Sequence, residues 1–197
     1  MFRKGFIFLL GVAVLSGCAH TQNAGIAIAA KPAKPMSEEL VQRNNAASLL
    51  YNLLNDEKNV NKLLIIKHST RELGHLIDAI ALSSGDAQKQ LDILVKLDPQ
   101  INLHALELPV GEVATRDAIA KTEEHELLFS SGENFQFQLL LTQADALSYG
   151  WHLAEICARD SSQPEEIREF TGIRLAMEDL YQQVVTMMKT EPPATAH

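Results

Sequence analysis

Glutamate and histidine residues at helical spacing are the side chains of this chain that are best suited to chemistry. Glu72-Leu73-Gly74-His75 is its only Glu-x-x-His motif, and residues three apart are neighbours on a helix surface. Glu124 follows in a later predicted helix, and His152 and Glu155 stand in the reversed order, His-x-x-Glu, in the next one. Carboxylates and imidazoles that face one another between helices can bind a transition metal.

One interpretation of these residues is therefore a metal site inside a helical bundle. Ferritin-like di-iron proteins take a Glu from each of two helices and a Glu-x-x-His from two others. Iron or manganese bound by Glu72, His75, Glu124, His152 and Glu155 would follow that pattern only in part, because the second Glu-x-x-His is missing. On a helical wheel, Glu72 and His75 also lie opposite the apolar stripe of their own helix, which predicts a solvated flank.

The interpretation that we favour is a structural polar layer without a cofactor. Asp117 and Glu124 fall within the apolar stripe that Val113, Ala120, Leu127 and Leu128 define. Glu155 lies on the apolar face of the next predicted helix, four residues after Trp151. Buried carboxylates need a cation, a shared proton or a metal, since the loss of hydration costs several kcal/mol. Arg174, at the border of the next stripe, is the expected cation, and His152 is a second candidate partner of Glu124 and Glu155.

The elements that carry these residues are predicted to be helices throughout, because no strand or hairpin pattern is present. Ser37 is placed to cap the first helix, with Glu38 and Glu39 in its first turn. Ser84-Gly85-Asp86 predicts a turn, and Pro99 and Pro109 bracket an extended connection. The predicted helices span 37–54, 57–82, 87–97, 111–130, 133–158 and 163–189.

The predicted fold is all-α: an antiparallel bundle of four long helices and one or two shorter ones, for which a ferritin-like topology is one possibility. The three long helices after residue 110 are expected to pack as antiparallel neighbours, because the loops between them are short. The predicted helix 133–158 has apolar residues on two sides, which indicates a central position or a docked partner.

The N-terminus combines a basic start at Arg3 and Lys4 with nine apolar residues, Phe6 to Val14, which is typical of a secretory signal. The signal ends in Leu15-Ser16-Gly17-Cys18, which resembles the bacterial lipobox. The resemblance implies cleavage before Cys18 and lipid attachment to its sulfur, and Ala19 after it favours the outer membrane. The predicted organisation is a signal peptide at 1–17, the lipidated cysteine and a tether at 18–36, a bundle at 37–190 and a disordered tail at 191–197.

The net charge and the absence of known catalytic motifs limit the classes of function that fit this sequence. Removal of residues 1–17 takes two basic residues and no acid from a chain of net charge −8, and the resulting −10 argues against nucleic acid and against docking on anionic headgroups. No nucleophile elbow, phosphate loop or Cys-x-x-Cys is present. We therefore expect an envelope lipoprotein that faces the periplasm, is not an enzyme, is anchored in the bilayer through Cys18 and uses its helices to bind a protein partner.

Overall fold

A computed structural model of the chain describes residues 37–105 and 108–190, and within these ranges it is a helical bundle without strands. The chain divides into two units, Met1–Lys34 and Pro35–His197, and every described residue belongs to the second. The described ranges contain five α-helices: α1 Glu38–Glu57, α2 Arg71–Leu97, α3 Val110–Phe129, α4 Gly132–Arg159 and α5 Pro164–Thr190. A 3-10 helix, Val60–Ile65, follows α1. The lipobox, the tether and the tail lie outside the described residues.

Side-chain hydroxyls cap the first turns of two helices, α1 and α2. The Ser37 hydroxyl accepts a hydrogen bond from the Leu40 amide at 3.3 Å, and Glu38 and Glu39 occupy the first turn of α1. The Thr70 hydroxyl accepts one from the Leu73 amide at 3.3 Å. Each cap satisfies an amide that has no partner within its helix. The predicted cap at Ser37 is confirmed, whereas the start of α2 at Arg71 was not predicted.

The prediction of separate helices at 57–82 and 87–97 is wrong, because α2 runs unbroken through Ser84 and Gly85. Its buried side chains continue across this point in a single helical stripe: Leu73, Leu76, Ile77, Ile80, Ala81, Ser84, Ala87, Gln88, Leu91 and Leu94. A glycine within a helix costs about 1 kcal/mol relative to alanine, and burial of such a stripe outweighs that cost. Residues 57–70 instead form the end of α1, the 3-10 helix and a connection.

Helix α4 lies at the centre of the fold, as its two apolar sides predicted. It packs most extensively against α5, then against α1, and at fewer positions against α3. Leu140 and Leu147 are buried on one side, and Phe135, Leu139 and Cys157 on the other. The described residues of Pro35–His197 thus build a continuous hydrophobic core of their own, which is what an independently folding unit needs.

Helix α3 departs from the predicted bundle. Leu127 is the only buried residue among its twenty, whereas Val113, Ala120 and Leu128 of the predicted buried stripe are exposed. The helix therefore lies on the outside of α4 and does not complete the core. No helix of the described ranges combines the length and the hydropathy needed to cross a bilayer.

Candidate interaction surface

The five residues of the metal hypothesis lie on exposed surfaces and are not brought together. Glu72 and His75 are exposed on α2, Glu124 on α3, and His152 and Glu155 on α4. The described residues contain no group of three or more His, Cys, Asp or Glu side chains that could hold a metal. Burial of Leu73, Leu76 and Ile77 turns Glu72 and His75 outward, as the helical wheel predicted. The metal site stays a prediction without geometric support in this part of the chain.

The predicted polar layer is wrong in its residues. Asp117, Glu124 and Glu155 are exposed, and Arg174 pairs with Glu178 on its own helix at 2.8 Å, with 28% of its side chain exposed. Asp117 and Glu124 are exposed because α3 lies on the outside of α4, where only Leu127 of the predicted inner stripe is buried. These carboxylates keep their hydration and need no buried cation.

A buried polar network does exist, but it is formed by other residues and lies near the N-terminus of α1. Arg43 Nη1 donates to Glu166 Oε2 at 2.9 Å, and Arg43 Nη2 donates to Asp98 Oδ2 at 3.4 Å. Arg43 and Glu166 are each 3% exposed. The network thus links the start of α1 to the end of α2 and to the first turn of α5. Burial and the hydrogen-bonded Asp98 raise the pKa of Glu166, while Arg43 opposes that rise.

Neighbouring polar residues of α1 fix the connection after α2. The Asn44 side chain donates to the Gln100 carbonyl at 3.0 Å and accepts from the Asn102 amide at 3.2 Å. Ser48 Oγ donates to the Asn102 carbonyl and accepts from the Ala105 amide, both at 2.9 Å. The predicted extended connection is therefore held against α1 by hydrogen bonds between α1 side chains and the backbone of the connection.

This network was not predicted, although the sequence of α1 carries a detectable signal for it. Arg43, Asn44 and Ser48 fall on the helical face that also carries Ala47 and Leu50. Polar residues within an apolar stripe indicate buried partners. Their partners could not be read from the chain, because Arg43 and Glu166 are 123 residues apart.

Cys157 lies beside this network and is fully buried. Its Sγ is 3.7 Å from the Arg43 carbonyl, and its own carbonyl accepts from Ser161 Oγ at 2.7 Å. Burial raises the pKa of this thiol well above its ordinary range. Because the thiolate is the reactive form, Cys157 acts as a small core residue.

A second buried carboxyl, Glu57, lies at the C-terminus of α1. Burial raises its pKa to about 7, the Gln143 amide opposes the rise, and the charges of Asp56 and Glu123 add to it. Glu57 Oε2 and Gln143 Oε1 are both buried and without a hydrogen-bond partner among the described residues. This site is therefore short of donors, and a proton on Glu57 relieves both the missing donor and the excess of negative charge.

Helix α3 is attached to the body mainly at two points. Near its C-terminus, Lys67 Nζ donates to the carbonyls of Leu128 and Ser130 at 2.6 and 2.8 Å. Nearer its N-terminus, the Arg116 guanidinium hydrogen-bonds the Tyr149 hydroxyl and lies 4.9 Å from the centre of the Tyr149 ring. These contacts hold α3 along α4 while leaving most of its surface open.

The open surface of α3 includes a patch of mostly small, uncharged side chains, while the rest of it carries the charges that a solvent-facing helix normally has. We define the outer side of α3 as the five uncharged residues that line one shallow depression, Ala114, Thr115, Ala118, Ile119 and Thr122; Glu123 is the sixth residue of the lining. Ile119 is 53% exposed. Ala114, Ala118 and Thr122 form a row at spacing four, which is the kind of ridge that another helix packs against.

Comparison of the chain with protein-family models, with curated proteins and with solved structures finds no match.

Proposed function

We propose that this protein is a lipid-anchored interaction module of a bacterial envelope, and that a protein partner docks on the outer side of α3. The observation that carries the proposal is that α3 has one buried residue in twenty and a depression lined by five uncharged residues beside Glu123. An amphipathic helix with no partner for such a face leaves apolar surface in water, where burial is worth about 25 cal/mol per Å².

The shape of the outer side favours a helix as the docking element. The small residues Ala114, Ala118 and Thr122 allow close approach of a second helix, and Ile119 beside them provides a larger apolar contact. Ordinary helix packing brings two axes to about 8–10 Å. The body of the protein, centred on α4, then serves as the rigid support that presents α3.

Cross-linking in cells tests this surface. We expect a photo-reactive amino acid at Ala118 to give a discrete adduct with an envelope protein, while the same group at Gln182, exposed on α5, gives none. Thr122→Arg should reduce the adduct from Ala118 about tenfold or more, since a buried unpaired charge costs several kcal/mol. Equal adducts from Ala118 and Gln182, or none from either, would contradict the proposal.

The anchor is tested separately at Cys18. Lipid attachment to its sulfur is the support for membrane anchoring, and more than one acyl chain gives stable attachment where a single chain is marginal. We expect Cys18→Ser to stop processing of the precursor and to prevent lipid labelling, as seen in a gel shift and by metabolic labelling with a fatty acid. Normal processing and labelling of Cys18→Ser would show that the lipobox interpretation is wrong.

A further inference from the structure

The segment at residues 58–71 has a charge opposite to that of the whole protein. It contains four basic residues, Lys58, Lys62, Lys67 and Arg71, together with His68, and it contains no acidic residue. The net charge of the chain is −8. None of the four basic side chains forms an ion pair with a residue in the described ranges. A locally basic surface on an acidic body is thus available to an external anion.

The same segment exposes large apolar side chains. Ile65, the last residue of the 3-10 helix, is 82% exposed, and Ile66 after it is 65% exposed. Phe129, at the end of α3, is 77% exposed. The Lys67 bonds to the carbonyls of Leu128 and Ser130 bring the end of α3 next to this segment. We name Ile65, Ile66 and Phe129 the apolar corner.

The cations that are free to meet a ligand lie beside the isoleucines. Residues three apart in a 3-10 helix lie on the same side, so Lys62 shares a side with Ile65. His68 and Arg71 are exposed just after Ile66. Lys67 and Lys58 are engaged with carbonyl oxygens and with Gln88. The acids next to the segment in sequence are Asp56 and Glu57 before it and Glu72 after it. Glu126 and Glu133 stand on either side of Phe129, and Asp78 accepts a hydrogen bond from Asn61 at 3.1 Å.

We propose that the apolar corner and the basic residues around it dock the protein body on an anionic lipid surface. Protruding apolar side chains beside Lys and Arg suit the interface of a bilayer, where the apolar groups enter the acyl boundary and the cations meet anionic headgroups. The strongly acidic body is repelled from the same surface, so that this corner is the part of the described protein that fits it. This docking goes beyond the proposed binding of a partner by α3.

The proposal revises what net charge alone predicts. The overall excess of acidic residues argues against headgroup binding. However, dissolved ions screen the electrostatic interaction between exposed charges beyond the Debye length, which is about 8 Å at physiological salt. The four basic residues of 58–71 lie close in sequence to Ile65 and Ile66, whereas most acidic residues of the chain lie elsewhere. At a bilayer surface, the attraction of the basic residues around the corner therefore outweighs the repulsion of the acidic body.

Vesicle binding by the unit Pro35–His197 tests the proposal without a contribution from the leader or an acyl chain. We expect this unit to sediment with vesicles that contain phosphatidylglycerol and to bind phosphatidylcholine vesicles about tenfold or more weakly. Raising NaCl from about 0.1 M to about 1 M should weaken the binding, because the Debye length shortens from about 10 Å to about 3 Å. Equal binding to both kinds of vesicle, or to neither, would overturn the proposal.

Two variants and two matched controls locate the binding surface. Ile65→Ser with Ile66→Ser, and Lys62→Glu with Arg71→Glu, should each weaken binding about tenfold or more. Leu82→Ser with Leu175→Ser, at 66% and 51% exposure, and Lys89→Glu with Arg168→Glu should leave it nearly unchanged. Binding that survives the isoleucine or the charge substitutions, with circular dichroism of the native form, would overturn the role of the corner.

Discussion

We expect Arg43→Ala to lower the free energy of unfolding by about 3–5 kcal/mol, because removal of one member of a buried ion pair leaves its partners uncompensated. Arg43 is the only cation within 4 Å of Glu166 and of Asp98 among the described residues. Without it, two buried carboxyl groups face each other. A proton can replace part of the lost charge, so that the loss should be smaller at pH 5 than at pH 8.

Chemical denaturation of the unit Pro35–His197 measures this effect, and Arg174→Ala is the matched control. Arg174 also pairs with a glutamate at 2.8 Å, but on the same helix and with 28% of its side chain exposed. Such pairs contribute about 0–1 kcal/mol. Similar losses in the two variants would show that burial of the Arg43 network does not govern its contribution.

Glu57→Gln should have the second largest effect, and in the opposite direction. A carboxyl whose pKa rises from 4.5 to about 7 on folding favours the folded state fully only below pH 4.5, and this contribution is lost as pH rises through 7. The loss amounts to about 3 kcal/mol. The amide cannot ionise, and its NH₂ group can donate to the unpartnered Gln143 Oε1. We therefore expect nearly parental stability at pH 4.5 and about 3 kcal/mol of added stability at pH 8.

Unfolding curves at a series of pH values separate this effect from a general change of charge. Glu124→Gln removes the same charge from an exposed position of α3 and should change stability by less than about 0.5 kcal/mol at every pH. Parallel pH profiles for Glu57→Gln and the parent protein would mean that Glu57 is ionised without penalty in the folded state.

Local signals made several elements predictable. Ser37 with two glutamates after it specifies the start of α1, and the apolar stripes of α4 and α5 specify long buried helices. The turn predicted at Ser84-Gly85-Asp86 failed because residue preferences near 1 kcal/mol compete with burial of a whole stripe. The all-α class depended on the periodicity of these long segments and was confirmed, whereas the start of α2 after its Thr70 cap was not predicted.

The polar residues were harder to assign, because a helical wheel gives the side of a helix but not its neighbour. Asp117 and Glu124 do lie on a stripe with Leu127, yet α3 stands where most of that stripe meets water. Arg43 lies on the buried side of α1, but its partners come from the end of α2 and the start of α5. Contacts between residues so far apart depend on the topology, which one sequence leaves open.

The burial of Cys157 makes this body convenient for site-specific spectroscopy. It is the only cysteine of the unit Pro35–His197, and a thiol that is fully buried and held protonated does not react with maleimides in the native state. A cysteine introduced at Ala118 or at Ile66 can therefore carry a spin label or a dye without removal of the native residue. Each face can then be followed by paramagnetic or fluorescent probes in an otherwise unmodified protein.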